Sequence, residues 1–228
     1  MTAGQSLSLV RRMNALRLVK TGLLAFAAVA TLSSCNRPGT MGEGGIYVTR
    51  STCPQVGIPA GTGDVTLFNP PGRTDAAAID VVATITNLRA SCSEDASYVV
   101  STASFDVVAT RRDAGEARQV TLPYYNVVAQ GGNDIVAKKI GYVALNFPAG
   151  QVRAQTSAQA TGRVARGAVV LPENIQRELT RTRRPGDADA AIDPLADPMI
   201  RDAVAKATFE QLNGFQLTQD QLRYNATR

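Results

Sequence analysis

The chain of 228 residues has no histidine, no tryptophan and only three cysteines. Without histidine, Ser-His-Asp and Cys-His nucleophilic pairs are excluded, although a Ser-Lys arrangement is not. The same absence, with no Cys-x-x-Cys spacing, removes the usual nitrogen and sulfur ligands of a structural metal site. Aromatic residues make up 5% of the chain, too few for the stacking platforms on which sugar-binding modules usually depend. No Gly-x-Ser-x-Gly, phosphate loop or dinucleotide fingerprint occurs. Paired carboxylates for glycoside cleavage are defined by geometry, and the acids here fall in turns and in one charged segment. No cofactor and no metal are expected.

Acidic residues are missing altogether from positions 1–34, where Arg11, Arg12, Arg17 and Lys20 precede the apolar run Leu23-Leu24-Ala25-Phe26-Ala27-Ala28-Val29-Ala30. A positive stretch, a short apolar stretch and then small residues are the order of a cleavable export signal. The apolar part, residues 21–32, falls short of the ~20 residues that a membrane-crossing helix needs. Residues 13–34 alone also make a compact signal, so Met13 competes with Met1 as the start. Arg11-Arg12 lacks the strong apolar residue soon afterwards that a twin-arginine route would want. Leu32-Ser33-Ser34-Cys35 resembles the lipobox of bacterial lipoprotein precursors.

That resemblance implies cleavage before Cys35, a diacylglyceryl thioether on its sulfur and a further acyl chain on the new amino terminus. Two or more acyl chains hold a protein stably on a bilayer, where one does so only marginally. The implied partner is therefore a lipid bilayer. In the lipoprotein sorting pattern an aspartate after the cysteine favours the inner membrane; Asn36 stands there, which implies the outer membrane, on its periplasmic side. Residues 35–45 carry four glycines and little to bury, and are expected to be a flexible tether spanning roughly 17 Å.

Removing residues 1–34 changes the charge balance. The chain has 24 basic and 19 acidic residues; four of the basic residues lie in the signal, which leaves 20 against 19, or +1. A nucleic-acid partner gains nothing from that balance. With Cys35 acylated, Cys53 and Cys92 remain as an even pair in an oxidising envelope, and a disulfide between them is expected. Two buried thiols, or a metal pair lacking its usual partners, are the competing readings.

Residues 46–228 read as a single β domain. Ile46-Tyr47-Val48 and Val65-Thr66-Leu67-Phe68 are short strands, and Asn69-Pro70-Pro71-Gly72 is a strong breaker. Ile79, Val81, Ala83 and Ile85 alternate with Asp80, Val82, Thr84 and Thr86. Val99, Ala103, Phe105, Val107 and Ala109 take one face of the next strand; Thr102, Ser104, Asp106 and Thr110 take the other. Arg112-Asp113-Ala114-Gly115 reads as a turn. Val120-Thr121-Leu122 and Tyr124 to Ala129 read as two strands separated by Pro123, which suits an edge or strand start. Tyr124 and Tyr125 point to opposite faces. Gly131-Gly132-Asn133-Asp134 is hairpin chemistry, and Gly141, Val143, Leu145 and Phe147 share a face of the return strand. Lys138-Lys139 reads as a solvated turn or strand edge, or as a contact for an acidic partner. Residues 152–164 suggest an exposed strand, closed by Ala168-Val169-Val170-Leu171.

Residues 172–198 differ. Arg177, Arg181, Arg183 and Arg184 are followed by Asp187, Asp189, Asp193 and Asp197, a charged insert at about 177–197 expected to be a solvated loop. Asp197-Pro198 offers an N-cap and a proline at the first helical position, predicting a helix through Ala205. Thr208 to Leu217 returns to strand spacing past Gly214, with a single helix through Leu212 as the rival. Thr218-Gln219-Asp220-Gln221 is a capping box, predicting a closing helix over 219–225 that packs through Leu222 and Tyr224.

Strands at this spacing predict an all-β, Ig-like or fibronectin-like β-sandwich with a short C-terminal helix. Gly214-Phe215-Gln216-Leu217-Thr218, then Gln221-Leu222 and Tyr224-Asn225, resemble the ending of a group of proteobacterial envelope lipoproteins. Cys53-Pro54, Cys92, Pro123-Tyr124-Tyr125 and Lys138 or Lys139 match the same group, while the charged insert departs from its plainer connection. The resemblance carries no activity and no functional residue. The expected function is a non-enzymatic binding or scaffold subunit of an envelope assembly, with an envelope protein as partner. The alternative is a cell-wall or polysaccharide-processing enzyme using carboxylates or a Ser-Lys pair.

Overall fold

The structure, a computed structural model, describes residues 51–227 and, apart from them, the backbone of two short strands nearer the amino terminus. Those two, β1 (Thr40–Gly42) and β2 (Gly45–Tyr47), pair antiparallel with Gly42 opposite Gly45. They belong to a unit of their own, residues 1–49. Of the expected tether over 35–45, Thr40–Gly42 and Gly45 belong to these strands and the remaining residues lie outside the described ones. Cys35 and the signal lie outside the described residues.

The second unit, residues 50–228, contains two four-stranded sheets. One has the order β3 (Gln55–Gly57), β10 (Phe209–Phe215), β7 (Arg118–Gln130), β8 (Asp134–Phe147). The other runs β4 (Asp64–Phe68), β5 (Ile79–Glu94), β6 (Tyr98–Arg111), β9 (Arg153–Ala165). All neighbours pair antiparallel except β3, which runs parallel to β10. Four helices follow β9 or close the chain: α1 (Arg166–Val169), α2 (Glu173–Thr180), α3 (Pro198–Lys206) and α4 (Gln219–Thr227).

Period-two alternation puts one face of each sheet into a shared core. Val81, Ala83 and Ile85 from β5, Phe105, Val107 and Ala109 from β6, Leu122 from β7, Val143, Leu145 and Phe147 from β8 and Phe215 from β10 form one buried cluster. Val99, Val128, Val164, Val169 and Phe209 form a smaller one. Between them along β6, β7 and β10 lie Ser101, Asn126, Gln211 and Asn213, all buried. The Gln211 amide donates to Asn126 Oδ1 at 3.0 Å and to the Ala160 carbonyl at 2.9 Å, and Asn126 donates to the Thr161 carbonyl at 3.1 Å. A polar layer thus crosses the core, with two of these hydrogen bonds running to β9 of the other sheet and one lying within a sheet.

Three expectations are corrected. Residues 118–130 form one strand, since Pro123 costs the ladder nothing where β10 has already ended; its carbonyl accepts from Gln216 at 2.9 Å on that same side. Ala168-Val169-Val170-Leu171 is not a strand: residues 166–169 make a helical turn that drops Val169 into the smaller cluster. The charged insert is not all loop, because Glu173–Thr180 is helical and buries Ile175. Its blocks of opposite charge meet at Asp189, which pairs with Arg181 and with Arg183 at 3.6 Å, and Glu178 pairs with the same two arginines at 3.1 and 2.8 Å.

The two adjacent tyrosines do face opposite ways, and each covers a glycine directly opposite it in register. Tyr124 turns inward over Gly141, meets Phe105 edge to face at 5.3 Å, and donates to the Gln159 carbonyl of the other sheet at 3.1 Å. Tyr125 turns outward over Gly214, and its hydroxyl lies 3.0 Å from Thr62 Oγ1. A Cβ at position 214 would stand 2.7 Å from that hydroxyl, closer than real side chains approach, so the pairing demands glycine.

Candidate functional site

Cys53 and Cys92 stand joined as a disulfide with Cα atoms 6.1 Å apart. The bond ties the segment entering β3 to the far part of β5, which belongs to the other sheet. Closing a loop across a sequence separation of 39 stabilises the fold by roughly 3–4 kcal/mol in the chain-entropy view. Its role is structural.

The surface feature that stands out is β8. It is an edge strand, and among the described residues no strand pairs with its outer side. Its C-terminal half alternates in the expected way, with Val143, Leu145 and Phe147 buried. Its N-terminal half is exposed on both faces from Asp134 to Ile140. The register with β7 sorts these side chains. Ile135, Lys138, Ile140 and Tyr142 stand opposite Ala129, Val127, Tyr125 and Pro123, on the outward face. Ala137, Lys139 and Gly141 stand opposite Val128, Asn126 and Tyr124, on the inward face. A shift of register beside Val128 and Ala129 accommodates Val136 as an extra residue, a β-bulge.

The outward row is apolar and uncovered: Tyr142 is 70% exposed, Ile135 65% and Ile140 43%, with Val136 at the bulge 50%. Lys138 interrupts the row and reaches over the Tyr125 ring, 5.9 Å from its centre. Neither Lys138 nor Lys139 forms an ion pair with a carboxylate among the described residues. Unpaired backbone groups on a sheet edge are a template for a further strand, and lysine is a residue that keeps such an edge from pairing indiscriminately. The expectation that Lys138-Lys139 lies on a strand edge therefore holds. The exposed apolar residues around it were not singled out from the sequence.

Two concave places bear on chemistry. An open cleft of about 780 Å³ lies between β4, residues 69–75 and α4. Phe68 and Tyr224 meet there edge to face at 5.0 Å. Its arginines are already engaged: Arg118 donates to both oxygens of Asp80 at 2.8 and 2.7 Å, Arg73 pairs with Asp75 at 2.7 Å, and Arg223 pairs with Asp220. The hydrogen bond from Arg118 holds the Asp80 carboxyl below the usual carboxylate range. The second place is a smaller hollow of about 410 Å³ on the outer face of β5, β6 and β9. There Asp106 accepts from Ser157 at 2.6 Å and from Asn87 at 2.7 Å, which lowers its pKa in that order of importance. Asn87 takes a positive φ of 54° where β5 bulges against β6. Both acids are therefore held ionised, the opposite of what a proton-donating carboxyl requires.

Comparison with protein-family models, curated proteins and solved structures gives no match to this chain.

Proposed function

We propose that this chain is a cell-envelope lipoprotein, held on the periplasmic side of the outer membrane through acylated Cys35, whose Ig-like β-sandwich is a non-enzymatic binding or scaffold subunit. The observation that carries the binding part is the exposed apolar row on the open side of β8. A row of this kind is costly to leave in water and marks an interaction site more often than chance scatter does. Strand addition at a free edge is a recurring mode of peptide recognition. The anchor rests on the lipobox resemblance, and the oxidised Cys53–Cys92 pair agrees with an envelope address. The cleft that contains Asp80 and Asp220 is what favours the second reading, a cell-wall or polysaccharide-processing enzyme. Arginine pairing of both carboxylates weighs against it.

Two measurements test the proposal. Cys35→Ser should remove the acyl mass and move the protein from the membrane to the soluble fraction; a variant that stays with membranes in high salt would defeat the anchor. A photo-crosslinking residue at position 142 should trap a discrete adduct in intact cells, whereas one at the comparably exposed Ile192 should not. Equal labelling at both positions would defeat β8 as the binding surface.

A further inference from the structure

We infer that β8 takes an extended protein segment carrying two adjacent carboxylates next to alternating apolar residues. The inference rests on β8 being the docking edge, as proposed above. A strand laid antiparallel on β8 is the more stable arrangement and places its residues opposite those of β8, sharing their faces. Read against β8 from Tyr142 back to Lys138, such a strand meets an apolar ring, a glycine, an isoleucine and then two lysines. Tyr142 and Ile140 are on the outward face and reward apolar residues opposite them. Gly141 lies beneath the Tyr124 ring on the inward face, and because the ring already fills the space over it, the residue opposite is small or polar. Lys139 on the inward face and Lys138 on the outward face each present a cation free of any protein carboxylate among the described residues. The complementary order is apolar, small or polar, apolar, acidic, acidic.

Charge also argues against pairing with a second copy of this chain in the register centred on the lysines. A two-fold arrangement centred on the lysine pair would set Lys138 against Lys139 of the second copy, twice, and like charges directly opposite are destabilising. Sliding the register until Asp134 meets Lys138 of the second copy relieves that repulsion, but leaves Ile140 and Tyr142 outside the overlap.

The test uses the full chain in detergent micelles and a labelled nine-residue peptide with the core Val-Thr-Val-Glu-Glu, read by fluorescence anisotropy and by amide hydrogen exchange. Binding should slow exchange within residues 134–142 and weaken with added salt, as contacts between exposed charges do. The double variant Lys138→Glu, Lys139→Glu should bind the peptide at least tenfold more weakly, and should recover binding to a peptide carrying Lys-Lys in place of Glu-Glu. Equal binding of the Glu-Glu peptide to the native chain and to that variant overturns the acidic partner. A dimer in sedimentation that Tyr142→Ser dissolves, with no peptide binding, overturns it in favour of self-pairing. Retained binding of the Glu-Glu peptide to Ile140→Ser, Tyr142→Ser, with no slowing within 134–142, overturns β8 itself. Circular dichroism of each variant confirms that the sheets are intact.

Discussion

Phe215 closes β10 inside the larger apolar cluster with 1% of its surface exposed, and three residues later Thr218 opens α4. The two residues fail in different ways when truncated. Phe215→Ala removes a ring from a core that relaxes only in part, at an expected cost of about 3–5 kcal/mol in urea unfolding. Thr218→Ala removes only the cap, in which the Thr218 amide donates to Gln221 Oε1 at 2.9 Å and the Gln221 amide to Thr218 Oγ1 at 3.3 Å. Its expected cost is about 1 kcal/mol, and equal losses for the two variants would contradict this account. Asp80 supplies a pH signature. Because Arg118 depresses its folded pKa, its stabilisation is present above the ordinary carboxylate range and is lost as pH falls through the folded value. Both side chains retain solvent access, so the pair contributes under about 1 kcal/mol. The stability difference between the native chain and Asp80→Asn should therefore be largest near neutral pH and vanish in strong acid. A constant difference across the titration would assign the effect to packing.

At the scale of elements, α4 shows how a correct boundary can accompany a wrong contact. The capping box announced the start of the helix, yet Leu222, expected to pack against the sheet, is 42% exposed. The helix is held by the other expected residue, Tyr224, against Phe68, and by Asn225, whose amide donates to the carbonyls of Gly61 and Asp64 at 2.8 and 2.9 Å. Asn225→Ala should cost about 1–2 kcal/mol, because it removes two hydrogen bonds at a partly buried site. Leu222→Ala should stay within about 0.5 kcal/mol, as surface changes do. Chemical denaturation of the two variants ranks them, and the reverse order would restore the apolar docking. The strands were legible because alternation and turn residues are local signals: Gly131 and Gly132, at φ 61° and 84°, make the hairpin that their sequence announces. Helix α2 was not legible, since Ile175 is its only buried residue and charged neighbours hide so weak a stripe. The turn at 166–169 escaped for another reason: a short apolar run has no period to read.

Across the whole molecule, what sequence cannot show is which strands cover which. The C-terminal half of β8 alternates in the sequence as other strands do, whereas residues 135–140 do not, and only the sheet order shows that this half lies uncovered at an edge. The same holds for Gln211 and Asn213. They occupy inward positions of β10 between Phe209 and Phe215, where alternation alone would call for apolar side chains. Their meaning emerges only when Asn126 of β7 and the carbonyl of Ala160 in β9 are placed across from Gln211. The lysine pair could be assigned to an edge from its charge, whereas the apolar row that makes the edge adhesive depends on the positions of all eight strands.

The bond between Cys53 and Cys92 also determines how the domain would carry a mechanical load. Tension applied through the chain ahead of Cys53 passes across the sulfur bridge to Cys92, and the intervening residues, with their separation of 39, drop out of the load path. That loop contains β3, β4 and most of β5, so these strands are spared direct pull, and roughly 130–140 Å of contour is withheld from extension. Stretching single molecules between their two termini should show the unfolded length increase by that amount when a reductant is added. An identical length with and without reductant would mean that the bridge does not carry the load.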